Sequence, residues 1–363
     1  MKKRLLACIL VIAMVLSVGA TAVFAEDSTH VSPSLVGDIS IDKKDILDSQ
    51  KPFEFSMTPK SKEWKNYSSV QMKEMLNIPL STAEKMDTAT LLKTVLDYPF
   101  MIDIYAYDNT TQGFEGLSLE FNGAAVLLQR PDLAEKLQTI YKNTIEKIMA
   151  VETKNNISDT EIMQKMFMES LLVYPKVSDM LSQDEKDSVV ALSQQVSDKL
   201  QTSSLVMEKT SVMAAAPGDI LYYGYVYPPL STTPVLVCSR QDMTSADKTT
   251  LNAQYDALYP TATRLGTATY NYNCHSYAWY LSSTGNTWWM DDPSYYMTYG
   301  YYTQVTNPTA GDKVYYTGAH SGNVTSVSGS NITVTSKWGA VGLYRHPIND
   351  CPYYLYTKTF WRH

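Results

Sequence analysis

Glu208 is the last glutamate in this chain of 363 residues. Beyond it, residues 216–363 hold eight Asp and eight Lys plus Arg, but also 21 of the 27 Tyr and five of the six Trp. The chain therefore divides near residue 215 into an acidic part and an aromatic part. No internal repeat bridges the two. Such a break, in a chain long enough for two domains, predicts an α+β protein with an N-terminal all-α domain followed by a domain built on an antiparallel sheet.

The first 25 residues have a different character. Lys2, Lys3 and Arg4 precede an apolar run that ends at Val23-Phe24-Ala25, the pattern of a secretory signal peptide cleaved before Glu26. The run is nearly long enough to span a bilayer, which leaves an uncleaved anchor as the alternative. Cys8 lies before the run rather than at its end and does not fit a lipoprotein site. No other segment approaches eighteen uninterrupted apolar residues, so the mature chain is expected outside the cell without stable membrane insertion. Cleavage lowers the basic count from 30 to 27 against 37 acidic residues, a net charge of −10 that excludes a phosphate-binding basic field and with it nucleic acid as a partner.

Residues 26–59 read as a polar, weakly ordered leading segment and residues 60–201 as the acidic helical domain. Ser158 and Ser182 each stand three residues before a glutamate (Glu161, Glu185), so hydroxyl and carboxylate can satisfy each other's orphan amides at a helix start. Apolar residues follow at spacings of three and four. Pro131-Asp132 opens a further helix, and TATLLKTVLDY, closed by Pro99, makes another. The Met and Leu stripes read as core, and the only histidine ahead of the linker is His30. Residues 202–219 read as that linker, and 220–363 as the second domain.

In the second domain, residues 312–316, 324–327 and 332–335 are β-branched and aromatic runs. Ser328-Gly329-Ser330 would turn the last two into a hairpin. Five N-x-S/T triplets, at Asn66, Asn109, Asn156, Asn323 and Asn331, match the glycosylation pattern and are given no role. Three cysteines remain after cleavage, Cys238, Cys274 and Cys351; either Cys238 and Cys351 pair and Cys274 stays free, or all three stay reduced. No C-x-x-C or H-x-x-x-H pair points to zinc.

The stretch NYNCHSYAWY, residues 271–280, carries the chemistry. Asn273 suits a helix cap, which places Cys274 in the first turn, where free amides and the helix dipole stabilise a thiolate. A thiolate facing a histidine can attack an acyl carbon while the imidazole shuttles the proton. Four histidines are available. His275 would point about 100° away from Cys274 on a helix, His363 is terminal, and His346 follows the hairpin. His320, at the start of a strand after a Gly-Asp turn, is the best candidate.

The order N-C-x-x-Y-A-W, then G-D-x-V-Y-Y, then H-S-x-x-V and a hairpin, over residues 265–340, resembles the papain-like NlpC/P60 and CHAP cell-wall hydrolases. The resemblance implies a papain-like fold, Cys274 as nucleophile, His320 as general base and acid, and a polar residue on the next strand that orients it. With the hairpin loop above, Gly322 lies opposite Ser336, which becomes the third member; a one-residue slip substitutes Lys337, which cannot accept a hydrogen bond, and His346 is a further alternative. The implied reaction is amide cleavage in peptidoglycan peptides, with the Cys274 amide helping to bind the oxyanion and with no cofactor or metal. Here the sequence reads Asn273-Cys274-His275-Ser276, whereas those families carry Asp-Cys-Ser-Gly or Asn-Cys-Thr.

The competing expectation is a wall-binding surface protein in which Cys274 is a core residue and the fold has lost catalysis. Trp288-Trp289, Tyr295-Tyr296, Tyr299 and Tyr301-Tyr302 would then be a groove wall that stacks on sugar or peptide. Asp291-Asp292 before Pro293 reads as a turn.

Overall fold

The computed structural model describes residues 51–151, 157–202 and 218–363. The expected signal peptide, residues 26–50 of the leading segment and residues 203–217 of the expected linker lie outside them. Among the described residues no helix is long and apolar enough to cross a membrane.

The acidic part is helical, as its capping signals require. Ser158 and Ser182 accept from the amides of Glu161 and Glu185, whose carboxylates accept in return from the two serines. They start the helices Asp159–Leu172 and Gln183–Thr202. The helix expected at Pro131 begins at Leu133 and runs to Ala150, and Thr88–Leu96 forms on an Asp87 cap. Residues 51–59, assigned to the leading segment, are placed too: the Phe53 amide donates to Thr94 Oγ1 at 3.0 Å and Phe55 packs on Tyr98 and Phe121.

The aromatic part is built on strands. Ile220–Val226 (β1) and Val235–Arg240 (β2) form a separate antiparallel ribbon. Thr263–Gly266 (β3), Thr303–Val305 (β4), Lys313–Tyr316 (β5), His320–Ser328 (β6), Asn331–Lys337 (β7), Leu343–Pro347 (β8) and Lys358–Arg362 (β9) form a seven-stranded antiparallel sheet in the order β3-β8-β7-β6-β5-β9-β4. The chain is thus mixed α+β with an antiparallel sheet. Asp312, in the Gly-Asp turn before β5, accepts two 2.7 Å hydrogen bonds from Arg362 of β9, which pins the chain's last strand.

The hairpin reaches its expected register by an unexpected route. Its turn is the two-residue Gly329-Ser330, with Ser328 opposite Asn331, and a bulge at Thr325 then moves the pairing by one so that Asn323 faces Thr335. Turn and bulge together leave Gly322 against Ser336, where a Cβ on Gly322 would lie 3.0 Å from the Ser336 Cβ.

Helices and sheet are not separate bodies. One continuous core holds Trp64, Leu91, Phe100, Ile104 and Phe114 of the helical part together with Tyr255, Tyr259, Tyr316, Trp338 and Tyr353 of the strand part. Hydrogen bonds cross the same boundary: Trp64 Nε1 donates to the Leu258 carbonyl at 3.1 Å, Tyr255 to the Ile102 carbonyl at 2.7 Å and Tyr107 to the Pro352 carbonyl at 3.1 Å. Asp350 accepts from the Ser69 amide and from the hydroxyls of Ser69 and Thr261. The linker therefore separates two element types that fold on a shared core.

Inside this boundary lies a buried charge cluster. Lys73 Nζ is 2.9 Å from Asp103 and 2.7 Å from Glu120, with all three side chains at most 3% exposed, and Tyr259 donates to Asp103. The ammonium also lies over the Phe100 and Tyr354 rings. Burial raises both carboxyls, and Lys73 opposes it. Replacing Lys73 by Met leaves two buried carboxyls without their cation. We expect Lys73→Met to lose about 3–5 kcal/mol of unfolding free energy in a urea titration, with Lys73→Met/Glu120→Gln recovering part of it. Equal stability of wild type and Lys73→Met would mean the cluster contributes nothing.

Candidate active site

Asn273 organises the site, as its capping chemistry suggests. Its Oδ1 accepts from the amides of Ser276 and Met290, both at 3.1 Å, and its Nδ2 donates to the Met290 carbonyl and, at 3.0 Å, to Asp108 Oδ1. All of its polar capacity is thereby used inside the protein. Cys274 follows in the first turn, but the helix it opens is short and wide: residues Ser276–Tyr280 wind as a π-helix, with the Leu281 amide bonded to the Ser276 carbonyl.

The group facing Cys274 comes from the helical part. Tyr353 donates to the Ala106 carbonyl, the Ala340 amide to the Tyr105 carbonyl, and Gly339 turns with φ +43° where a Cβ would lie 2.5 Å from Ala106 backbone atoms. Only glycine fits there, because the turn needs both the left-handed backbone and the missing side chain. Residues 105–107 are thus held against the sheet, and Asp108 projects at the cysteine.

Asp108, Cys274 and His275 converge. His275 Nε2 is 3.3 Å from Asp108 Oδ2, and Cys274 Sγ is 3.8 Å from Asp108 Oδ1. His275 Nδ1 lies 2.8 Å from Ser321 Oγ, which also accepts from Trp279 Nε1 at 2.8 Å. The Ser321 main-chain N–H points at the Cys274 sulfur. Cys274 is 1% exposed and His275 4%. Burial and then the Asp108 carboxylate push the thiol up, while His275 and the Ser321 amide draw it down. Burial alone would lower His275, but the Cys274 sulfur and Asp108 hold it well above the ordinary imidazole range. Both neighbours thus favour the protonated ring, Cys274 the more strongly. Among the described residues, these three form a group of metal-ligating type with all donor atoms within 4.8 Å of one another.

This geometry corrects the reading of His275. Expected to point away from Cys274, it instead meets the same carboxylate, with the sulfur and the ring nitrogen within 4.8 Å of each other. Nothing local marks Asp108, since the contact spans 166 residues of chain.

The other expected residues are placed differently. His320 begins β6, fully buried, and its ring stacks on Tyr353 at 3.6 Å with an interplanar angle of 9°. Neither ring nitrogen has a hydrogen-bond partner among the described residues, and burial holds the imidazole well below its ordinary value, hence neutral. Ser336 does not orient it. The Ser336 hydroxyl accepts from Trp338 Nε1 at 3.1 Å and donates to His346 Nε2 at 2.9 Å, while His346 Nδ1 donates to the Pro347 carbonyl at 2.8 Å. The serine shares a strand face with His320 but turns to the neighbouring strand β8. Lys337 is buried with its ammonium on the carbonyls of Thr269 and Gly339, and burial lowers it to about 7.

No protein-family profile matches the chain, and no curated protein or solved structure matches it.

The three cysteines are free, with Cys238 packed beside Trp289 and Cys351 beneath Tyr316 in different core clusters. Of the aromatic wall, Tyr295, Tyr299 and Tyr301 are exposed, whereas Trp289 and Tyr296 are core. Asp292 makes the expected turn by accepting from the Ser294 amide at 2.8 Å. A cavity of about 210 Å³ opens between Tyr223, Cys238, Asp291, Asp292 and Tyr295. Of its lining, Asp291 lies within electrostatic reach of Asp108 and His275.

His346 generates a pH dependence. Burial lowers it to about 4 from 6.5, so between those values the unfolded chain binds a proton that the folded chain refuses. Its contribution to stability is complete above pH 6.5 and is lost as the pH falls toward 4. His320 acts in the same direction. His346→Gln should flatten the slope of unfolding free energy between pH 6 and 4.5 by up to about 1.4 kcal/mol per pH unit. Parallel slopes for the two proteins would exclude His346 as an acid-sensitive group.

Proposed function

We propose that the protein is an exported cysteine hydrolase that cleaves an amide bond, with cell-wall peptides the substrate class implied by the resemblance of residues 265–340 to NlpC/P60 and CHAP hydrolases. A papain-like fold belongs to the same proposal. The observation that carries it is the meeting of the Cys274 thiol with an imidazole that is itself held by a carboxylate. Ring orientation by a carboxylate is what a thiol–imidazole pair needs to pass one proton back and forth.

In this reading the thiol proton already resides on His275, and Cys274 attacks the acyl carbon as the thiolate of that ion pair, forming the C–S bond. The imidazolium then protonates the leaving nitrogen as the C–N bond breaks. Water attacks the resulting thioester with His275 as base, which releases the acid and restores the ion pair. Asp108 stabilises the imidazolium throughout, and the Cys274 amide helps to bind the oxyanion. The 1% exposure of Cys274 means that covering side chains must move before substrate reaches the sulfur.

Two observations favour other assignments. His320 has two unpartnered ring nitrogens one residue from the amide that points at the sulfur, which suits the base that the resemblance implies. The exposed row Tyr222, Tyr223, Tyr225 and Tyr227 on and beside β1 suits the wall-binding reading.

Release of soluble muropeptides from isolated Gram-positive cell walls, followed by mass spectrometry, separates these readings. Cys274→Ala should abolish release, His275→Gln should lower it about 10²–10⁴-fold, and His320→Gln should lower it less. The reverse order for the two histidines would make His320 the base. No release by the wild type, with equal wall binding by wild type and Cys274→Ala, would replace the hydrolase with the binding protein.

A further inference from the structure

The meeting of Asp108, Cys274 and His275 is also a ligand set. We propose that these three residues bind a divalent cation of the zinc class, and that this cation and the reacting thiol of the hydrolase reading exclude each other at Cys274.

Donor type decides the class of ion. A thiolate, an imidazole nitrogen and a carboxylate oxygen form the mixed set that tetrahedral Zn²⁺ accepts, whereas Ca²⁺ and Mg²⁺ take oxygen. Spacing agrees. Zinc–ligand bonds of about 2.0–2.3 Å at tetrahedral angles put neighbouring donors about 3.3–3.7 Å apart; His275 Nε2 and Asp108 Oδ2 are 3.3 Å apart, and Cys274 Sγ and Asp108 Oδ1 are 3.8 Å apart. The third pair, the Cys274 sulfur and the His275 ring nitrogen, lies within 4.8 Å.

The surroundings hold each donor in place. Ser321 Oγ faces His275 Nδ1, so that Nε2 is the nitrogen presented to the cluster; the serine has two lone pairs and can accept from both Trp279 and His275. Asn273 Nδ2 holds Asp108 at 3.0 Å, and the Ser321 amide near the sulfur favours its thiolate. Partners of this kind behind each ligand fix orientation in metal sites. The three side chains are almost fully buried, so a dication there would neutralise a thiolate and a carboxylate that otherwise share one imidazolium. Three protein ligands leave the fourth position of a tetrahedron open.

The site is not legible in the spacing of ligands along the chain. Cys274 and His275 are adjacent, and the third ligand is Asp108.

The test uses Co²⁺ as the probe, added to the mature protein after chelator treatment and dialysis. One equivalent should produce a sulfur-to-cobalt charge-transfer band that Zn²⁺ displaces. Cys274→Ser should lose the band, His275→Gln and Asp108→Asn should weaken cobalt binding at least about tenfold, and Cys238→Ser should keep it, with far-ultraviolet circular dichroism confirming the fold of each. Should a variant not fold, the zinc X-ray absorption edge of the wild type serves instead and should show one sulfur at about 2.3 Å. Absence of the band, its retention in Cys274→Ser, indifference to both His275→Gln and Asp108→Asn, or a zinc edge without sulfur would each overturn the proposal. Muropeptide release by the chelator-treated protein is scored separately, so a bound cobalt without hydrolysis removes only the hydrolase reading, and hydrolysis without bound cobalt removes only the metal.

Discussion

The structure depends on the packing of residues 101–108 against the sheet. This segment leaves the helical part, passes beneath Gly339 and Tyr353, and carries its backbone carbonyls to Tyr255, Ala340 and Tyr353 of the strand part. Those carbonyls would be costly to bury unpaired, and each bond that satisfies one also fixes the position of the next residue. Asp103 at one end enters the Lys73 cluster, and Asp108 at the other reaches Cys274. Core, charge cluster and candidate site are therefore consequences of one docking event.

That docking explains why an acidic helical segment and an aromatic sheet occur on one chain. Large side chains of each part are covered by the other: Trp64 of the first donates to the Leu258 carbonyl of the second, and Phe100 and Tyr107 of the first meet Tyr259 and Tyr353 of the second edge to face. The tyrosines of the second part also carry hydroxyls that reach across the boundary. Aliphatic residues at 255 and 353 could fill the same space but would take these donors from the carbonyls of Ile102 and Ala106.

Local readings succeeded where a few neighbouring residues decide the outcome. Serine–glutamate pairs cap helices because both partners lie within one turn, and Asn273 caps the residues directly after it. The hairpin shows the limit of such reasoning: its Gly322–Ser336 register follows from a two-residue turn and a bulge rather than from a three-residue loop. Ser336 then bonds to His346 on β8, while the His320 ring on β6 stacks on Tyr353 instead. Which strand flanks β7 is a property of the sheet order, and the hairpin cannot contain it.

The sequence by itself determined the division into helical and strand-rich parts, the caps, the hairpin and the placing of Cys274 at the start of a helix. All of these rest on residues close in the chain, where propensity and hydrogen-bond capacity act over a few bonds. Only the tertiary structure decided that both parts share a core, that His275 rather than His320 contacts the cysteine cluster, and that Asp108 completes it. Those outcomes rest on contacts between residues 166 positions apart, and contacts of that range are selected by the burial and hydrogen bonding of a whole interface, which no local pattern encodes.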